Sequence, residues 1–228
     1  DAEHRFDIPA TLADECRILC YHEGGISRVN IFGQLVPDTV APVNLLEGVE
    51  ISHISNEHYG RPHDAVSGSR QVDYMFGWES ARTGFGEQAI FHLKAPAQLS
   101  QIDVDTYMHR LNPPLSCHAY GLNITESGSL DAAYEQRPKW SIEFEDGSTI
   151  VPESFKTYML QETFLDEPVA DNRRFKIKLH LPDDSPWLPI VPFGALKPDT
   201  YHRFKAAQTA EPITHLLYMH YPNGGIHG

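Results

Sequence analysis

Residues 102–109 read Ile-Asp-Val-Asp-Thr-Tyr-Met-His, with Ile102, Val104, Thr106 and Met108 alternating against Asp103, Asp105, Tyr107 and His109. A repeat of two residues is the period of a β-strand, whose side chains point to opposite faces in turn. The same period places Ala89, Phe91 and Leu93 on one face of an earlier strand. It recurs strictly over 174–181, where Phe175, Ile177, Leu179 and Leu181 share a face. Glycine and seventeen prolines punctuate the intervals between such runs. Many short strands with Gly and Pro turns fit an all-β sandwich and not a doubly wound parallel sheet.

The polar face of residues 102–109 carries two carboxylates, a phenol and an imidazole. On a half-buried antiparallel strand that face is either ordinary solvated surface or one wall of a site. Thirty-one acids against eighteen bases give a formal charge of −13, which argues against nucleic acid or an anionic membrane as partner. A single arginine can still hold an anionic small molecule, because a local fork overrides the net field. Cys16, Cys20 and Cys117 form no disulfide framework, which points to a reducing compartment. Cys16 and Cys20 lack the second pair of ligands that a structural zinc needs. No apolar run reaches spanning length, and Asn123-Ile-Thr125 is a glycosylation match too short to imply secretion.

The chain repeats itself. Cys20-Tyr-His-Glu-Gly24-Gly25-Ile26 is echoed by His220-Tyr-Pro-Asn-Gly224-Gly225-Ile226, and His4-Arg-Phe6 by His202-Arg-Phe204. After the first Gly-Gly turn a plausible strand continues over Ile26–Phe32, whereas after the second the chain stops at Gly228. The expected organisation is a remnant of a first repeat over 1–36, a proline-punctuated linker over 37–43, and a second repeat over 44–228. That second repeat lacks its last strand and carries an insertion near 125–172. Either the chain is cut from a longer two-repeat protein, or Ile26–Phe32 folds back to supply the missing strand.

Four stretches, in order, resemble the allantoicase family. Ile54-Ser-Asn-Glu57-His-Tyr59-Gly60 is similar to its Ala-Ser-Asp-Glu loop, and Gly77-Trp78-Glu79-Ser-Ala-Arg82 to its Gly-Trp-Glu-Thr-x-Arg element. Ile102-Asp-Val-Asp-Thr-Tyr-Met-His109, leading to Asn112-Pro-Pro114, resembles its Val-x-Val-Asp-Thr-x-His strand and Asn-x-Pro turn. Ile213-Thr-His-Leu-Leu-Tyr-Met-His-Tyr-Pro-Asn-Gly-Gly225 is similar to its Val-Thr-His signature ending in Tyr-Pro-Asp-Gly-Gly. The family is built from two repeats, each a jelly-roll β-sandwich of the galactose-binding-domain kind.

The resemblance implies hydrolysis of allantoate, a small acid with two ureido groups on one carbon, to ureidoglycolate and urea in purine degradation. It implies Arg82 as the fork for the carboxylate, with Tyr59, Glu79 and Asn112 bonding the ureido groups and Trp78 as a wall, although a tryptophan there equally reads as core packing. His58 or His109 would protonate the departing nitrogen, and Glu57 or Asp105 would act as base. No cofactor is implied, with room for a loosely held divalent ion at Asp103, Asp105 and His109. The expected compartment is the cytoplasm, or the peroxisome without a C-terminal targeting tripeptide, and a homo-oligomer is compatible. A different class also fits: a non-catalytic jelly-roll module that stacks a small ligand or carbohydrate on Trp78, Tyr59 and Tyr107. An acid–base pair in the site separates the two, since a binding module has no need of one.

Overall fold

In the computed structural model the chain divides into two compact units, residues 1–41 and 42–228. The residues described are 43–68, 70–73, 76–81, 86–124, 128–150 and 175–228, together with 4, 6–8, 16–19, 26 and 29–32 of the first unit. The Gly24–Gly25 turn, most of the linker, residues 151–174 and Arg82 lie outside them, and so does part of the expected strand over Ile26–Phe32.

The second unit is an antiparallel β-sandwich. Its main sheet has five strands in the order β1 (Glu50–Ser52), β4 (Glu87–Ala97), β12 (Ile213–Tyr221), β6 (Ser116–Leu122) and β10 (Leu188–Ala195). Two smaller sheets supply further layers of strand: β2 (Tyr59–Gly60), β3 (Trp78–Glu79) and β13 (Gly225–Ile226) form one, with β3 central, and β5 (Gln101–Asp105) and β11 (Tyr201–Lys205) the other. Val104, Trp78 and Ile226 from these small sheets share one core with Ile51, Phe91, Ala119, Leu216 and Tyr218 of the main sheet. The opposite face of the main sheet is covered as well. Ile90, Leu217, Met219 and Tyr120 pack there against Trp140, Trp187 and Ala133, which come from β7 (Lys139–Phe144), the loop before β10 and α2 (Leu130–Glu135).

Burial on both faces explains why β6 and β12 read as nearly continuous apolar runs while β5 alternates. A central strand has no solvated side to keep polar, and all seven residues of β6 are buried. Over 139–144 Trp140, Ile142 and Phe144 face inward before the Asp146–Gly147 turn into β8 (Thr149–Ile150). β7 pairs in turn with β9 (Phe175–His180).

The strand expected over 102–109 ends sooner than its alternation suggests. β5 stops at Asp105, whose Oδ1 accepts a hydrogen bond from the Tyr107 N–H at 3.0 Å, and Met108 has φ +64. A short acidic side chain bonding the backbone two residues on starts a turn in place of the next ladder bond. Thr106 is fastened from the other side, its hydroxyl donating to the carbonyls of Lys197 and Thr200. The turn therefore lifts His109 off the face of Asp103 and Asp105 and toward β13. Among the described residues, no helix is long and apolar enough to cross a membrane.

Candidate active site

Glu79 lies where three strands meet. Tyr59 on β2 and Gly225 on β13 both pair with it, so the three residues form one row across the small sheet. The turn that follows β5 closes over this row. The Asn112 carbonyl accepts from the Gly225 N–H at 2.9 Å, and the Asn112 side-chain amide donates to Glu79 Oε1 at 2.8 Å.

Such close approach explains the two glycines. A Cβ built on Gly225 would lie 2.2 Å from both Cε1 and Nδ1 of His109, and one on Gly224 would lie 2.4 Å from the Asn112 carbonyl oxygen. Neither distance is sterically tolerable, so the His109 ring occupies the space a side chain at 225 would need. His109 is only 4% exposed. Burial pushes its pKa below the ordinary value, opposed by the Glu79 charge, a hydrogen bond with Asn112 and the Asp105 charge. Its Nε2 has no hydrogen-bond partner. Glu79, Asn112 and His109 thus form one group, with Asn112 bonded to Glu79 and the imidazole influenced by both.

Beside this group Asp105 is fully engaged. Arg70 Nε and Nη2 donate to its Oδ2 at 2.8 and 2.7 Å, and Oδ1 takes the Tyr107 N–H. The guanidinium also lies over the Tyr107 ring, 4.3 Å from its centroid, so two contacts hold it in place. His227 completes the group. It is 2% exposed, its backbone N–H donates to the Asp105 carbonyl at 2.7 Å, and its ring meets Tyr107 edge-on with centroids 5.2 Å apart. Burial also holds His227 below its usual pKa; Asp105 opposes this, while His109 and Arg70 reinforce it.

The residues singled out from sequence fall into three groups. Glu79, Asn112, His109 and Asp105 are brought together, although Asp105 anchors Arg70 and has no free oxygen with which to act as a base. Glu57, His58 and Tyr59 lie along β2 and the loop before it with exposed side chains, joined to the cluster through the His58 N–H to the Glu79 carbonyl. Trp78, for which core packing and a wall for the ligand were both expectations, is 1% exposed and belongs to the core. Its Nε1 donates to the Asn56 carbonyl, and its ring packs on His220 at 4.9 Å.

Arg82 lies outside the described residues, and the cation the structure shows at the cluster is Arg70. Neither Arg70 nor His227 was singled out by sequence. Arg70 sits in a patternless polar loop, but the two-residue spacing of Gly225 and His227 along an extended segment would have put both on one face. Asp103 points away from the cluster toward β11, bonded by Tyr201 and Arg203. The expected ion site at Asp103, Asp105 and His109 is thus divided, each carboxylate facing its own arginine. No group of three metal-ligating side chains converges among the described residues.

A buried imidazole beside a carboxylate–amide pair and a fixed guanidinium can move a proton next to a bound anion. The sequence model described as "Allantoicase: Allantoicase repeat" matches residues 43–170. The chain is 24% identical to a probable allantoicase of Schizosaccharomyces pombe, over 98% of this chain and 54% of that protein. It is 30% identical to an allantoicase of Neurospora crassa, over 79% of this chain and 48% of that one. The solved structure of the Saccharomyces cerevisiae allantoicase superposes with a TM-score of 0.52 at 18% identity, covering 81% of this chain and 46% of that one. The chain spans about half the length of the curated relatives it matches. With the family model matching more than half of its residues, the chain belongs to the allantoicase family.

Proposed function

We propose that the chain takes part in hydrolysing allantoate to ureidoglycolate and urea, a C–N cleavage of a linear amidine in purine degradation, with the site at Glu79, Asn112 and His109. One observation carries this reading: three stretches through which the chain resembles the family converge on one group. Glu79 comes from the first, His109 and Asn112 from the second, and Gly225, against which His109 packs, from the third.

In this reading Arg70 supplies the positive charge that the substrate carboxylate requires, with Arg82 as a second cation from the same loop region. Glu79 and Asn112 face the ureido groups, and His109 exchanges the proton that C–N cleavage demands. A titrating imidazole backed by a carboxylate–amide pair favours a catalyst over a stacking platform, since Trp78, the largest ring such a platform would use, is sealed in the core. The test is urea release from allantoate by the purified chain. Release above the buffer blank that vanishes in Asn112→Ala supports the reading, and no release from the unaltered chain rejects it.

A further inference from the structure

Arg70 lies in the loop between α1 (Pro62–Ala65) and β3, and residues 70–73 belong to no helix or strand. Side chains from distant segments fasten the loop instead. Asp105 takes the guanidinium, with Nε and Nη2 both donating to its Oδ2. His227 takes the backbone: its Nε2 accepts the Gln71 N–H at 3.0 Å, across 156 positions of sequence. The same ring meets Phe76, at the far end of the loop, with centroids 5.4 Å apart. It also meets Tyr107 at 5.2 Å, the ring over which the Arg70 guanidinium lies. One buried imidazole thus contacts the loop on both sides of residues 74–75 and reaches the guanidinium through Tyr107.

The Gln71 bond sets the state of that imidazole. A nitrogen that receives an N–H carries a lone pair, so the ring is neutral with its proton on Nδ1. Protonating Nε2 would set donor against donor and place a second positive charge near the guanidinium. Burial is the largest influence against that charge; Asp105 on β5 favours it, while His109 after β5 and Arg70 in the loop oppose it. Tyr107, the other titratable group against the ring, is a neutral phenol at working pH.

We propose that His227 is a positioning residue for substrate binding: its neutral imidazole accepts the Gln71 N–H and so holds Arg70 where a substrate carboxylate meets the guanidinium, and protonation of the ring releases the loop. This rests on the reading of Arg70 as the partner of the substrate carboxylate. Asp105 occupies Nε and Nη2, so Nη1 is the edge left to the substrate, and the side chain is 34% exposed, open to a solute. His227 acts through Arg70 and exchanges no proton with the substrate. Its loss therefore weakens binding and spares the chemical step, which is a rise in KM at constant kcat.

Two variants separate the acceptor from the ring. His227→Gln places a carbonyl oxygen near the position of Nε2 and does not titrate, whereas His227→Phe keeps the contacts with Tyr107 and Phe76 and has no acceptor. At neutral pH His227→Phe is expected to raise KM for allantoate about tenfold, the scale of one hydrogen bond, with kcat changed by no more than about twofold. His227→Gln is expected to bring KM back to within about threefold of the unaltered chain. KM of the unaltered chain is expected to climb as pH falls below about 6.5, and that climb is expected to be absent in His227→Gln. In 15N-labelled unaltered chain, a coupling across the hydrogen bond is expected between the Gln71 nitrogen and His227 Nε2. The Arg70 Nε–H signal is expected to persist in the unaltered chain and His227→Gln, and to be lost to exchange in His227→Phe. The coupling and the pH dependence are read on the unaltered chain, so they decide the matter even if His227→Phe does not fold. Equal KM rises in both variants, a loss that falls on kcat, or no coupling between Gln71 and His227 would overturn the proposal. If the coupling is present and the Arg70 signal follows the acceptor while the unaltered chain releases no urea, the positioning role stands and the allantoate reading falls. Urea release with an unchanged KM in His227→Phe overturns the positioning role alone.

Discussion

Replacing Gly225 by alanine tests the site at its tightest point. The new Cβ would stand 2.2 Å from Cε1 and Nδ1 of His109 and 2.9 Å from Cγ. Ordinary contact requires the ring to retreat by roughly 1 Å, yet it is 4% exposed and has the Asn112 bond behind it. Overpacking of this kind costs typically 1–3 kcal/mol, or a fall in Tm of about 2–4 °C per kcal/mol in a domain of this size. The effect on catalysis should exceed the effect on folding, since a misplacement of about 1 Å in a reacting group costs on the order of a hundredfold in rate. Melting followed by circular dichroism and urea release from allantoate measure the two effects separately. Gly147→Ala is the control: φ there is +82 with nothing within 4 Å of the new Cβ, so it should cost about 1–2 kcal/mol of backbone strain and leave turnover alone. Turnover by Gly225→Ala equal to that of the unaltered chain would refute the packing of His109 on the Gly-Gly turn.

Three further outcomes follow from the same geometry. Asn112→Asp sets a second carboxylate against Glu79 and removes the amide donor of a 2.8 Å bond, so kcat/KM should fall about a hundredfold or more, with part of the loss recovered on lowering pH as the pair takes up a proton. Asp103→Asn should cost only about 0–1 kcal/mol by denaturant titration and leave urea release unchanged, because its partners Arg203 and Tyr201 lie on exposed β11 and the pair is worth no more than a surface ion pair. Stability should fall as pH drops below about 6.5: His215 is pushed down to about 4 by burial and the neighbouring His92, and His220 to about 3 by burial. Both stay neutral in the fold while the unfolded chain takes up protons, and the loss approaches about 1.4 kcal/mol per pH unit for a fully buried group; urea-denaturation midpoints at pH 7 and pH 5 check it, and equal midpoints would contradict the burial of His220.

The alternation of β9 was legible because Ile177 and Leu179 pack inward while Lys176 and Lys178 are exposed, and a period of two records that difference directly; β4 is covered on both faces, with Phe91 in one core and Ile90 in the other. That β6 and β12 are covered on both faces has no local signature, because the layer over their second face is built from α2, β7 and Trp187, far along the chain. The site was half legible for a related reason. Glu79, His109 and Asn112 sit in stretches whose order of residue types is itself distinctive. Trp78 belongs to the same distinctive stretch as Glu79, and a strand sends adjacent residues to opposite sides, so what marks one as a site residue places the other in the core. The motif carries both roles without labelling them.

What sequence alone does not display is a close approach between distant segments. The Gly224–Gly225 pair reads first as a turn signal, by analogy with Gly24–Gly25. In the fold its use is different: the backbone of 224–225 must pass within van der Waals contact of the Asn112 carbonyl and the His109 ring, a requirement set by residues more than a hundred positions upstream. The same long-range approach makes His227 informative. Taken by itself it is a histidine after a turn. Near a ring that occupies the space of residue 225, it joins the cluster around Asp105, and that grouping exists only once β13 has been laid beside β3. A side chain added at 225 should therefore displace the His109 ring and cost on the order of a hundredfold in rate, while leaving the alternation that specifies the strands intact.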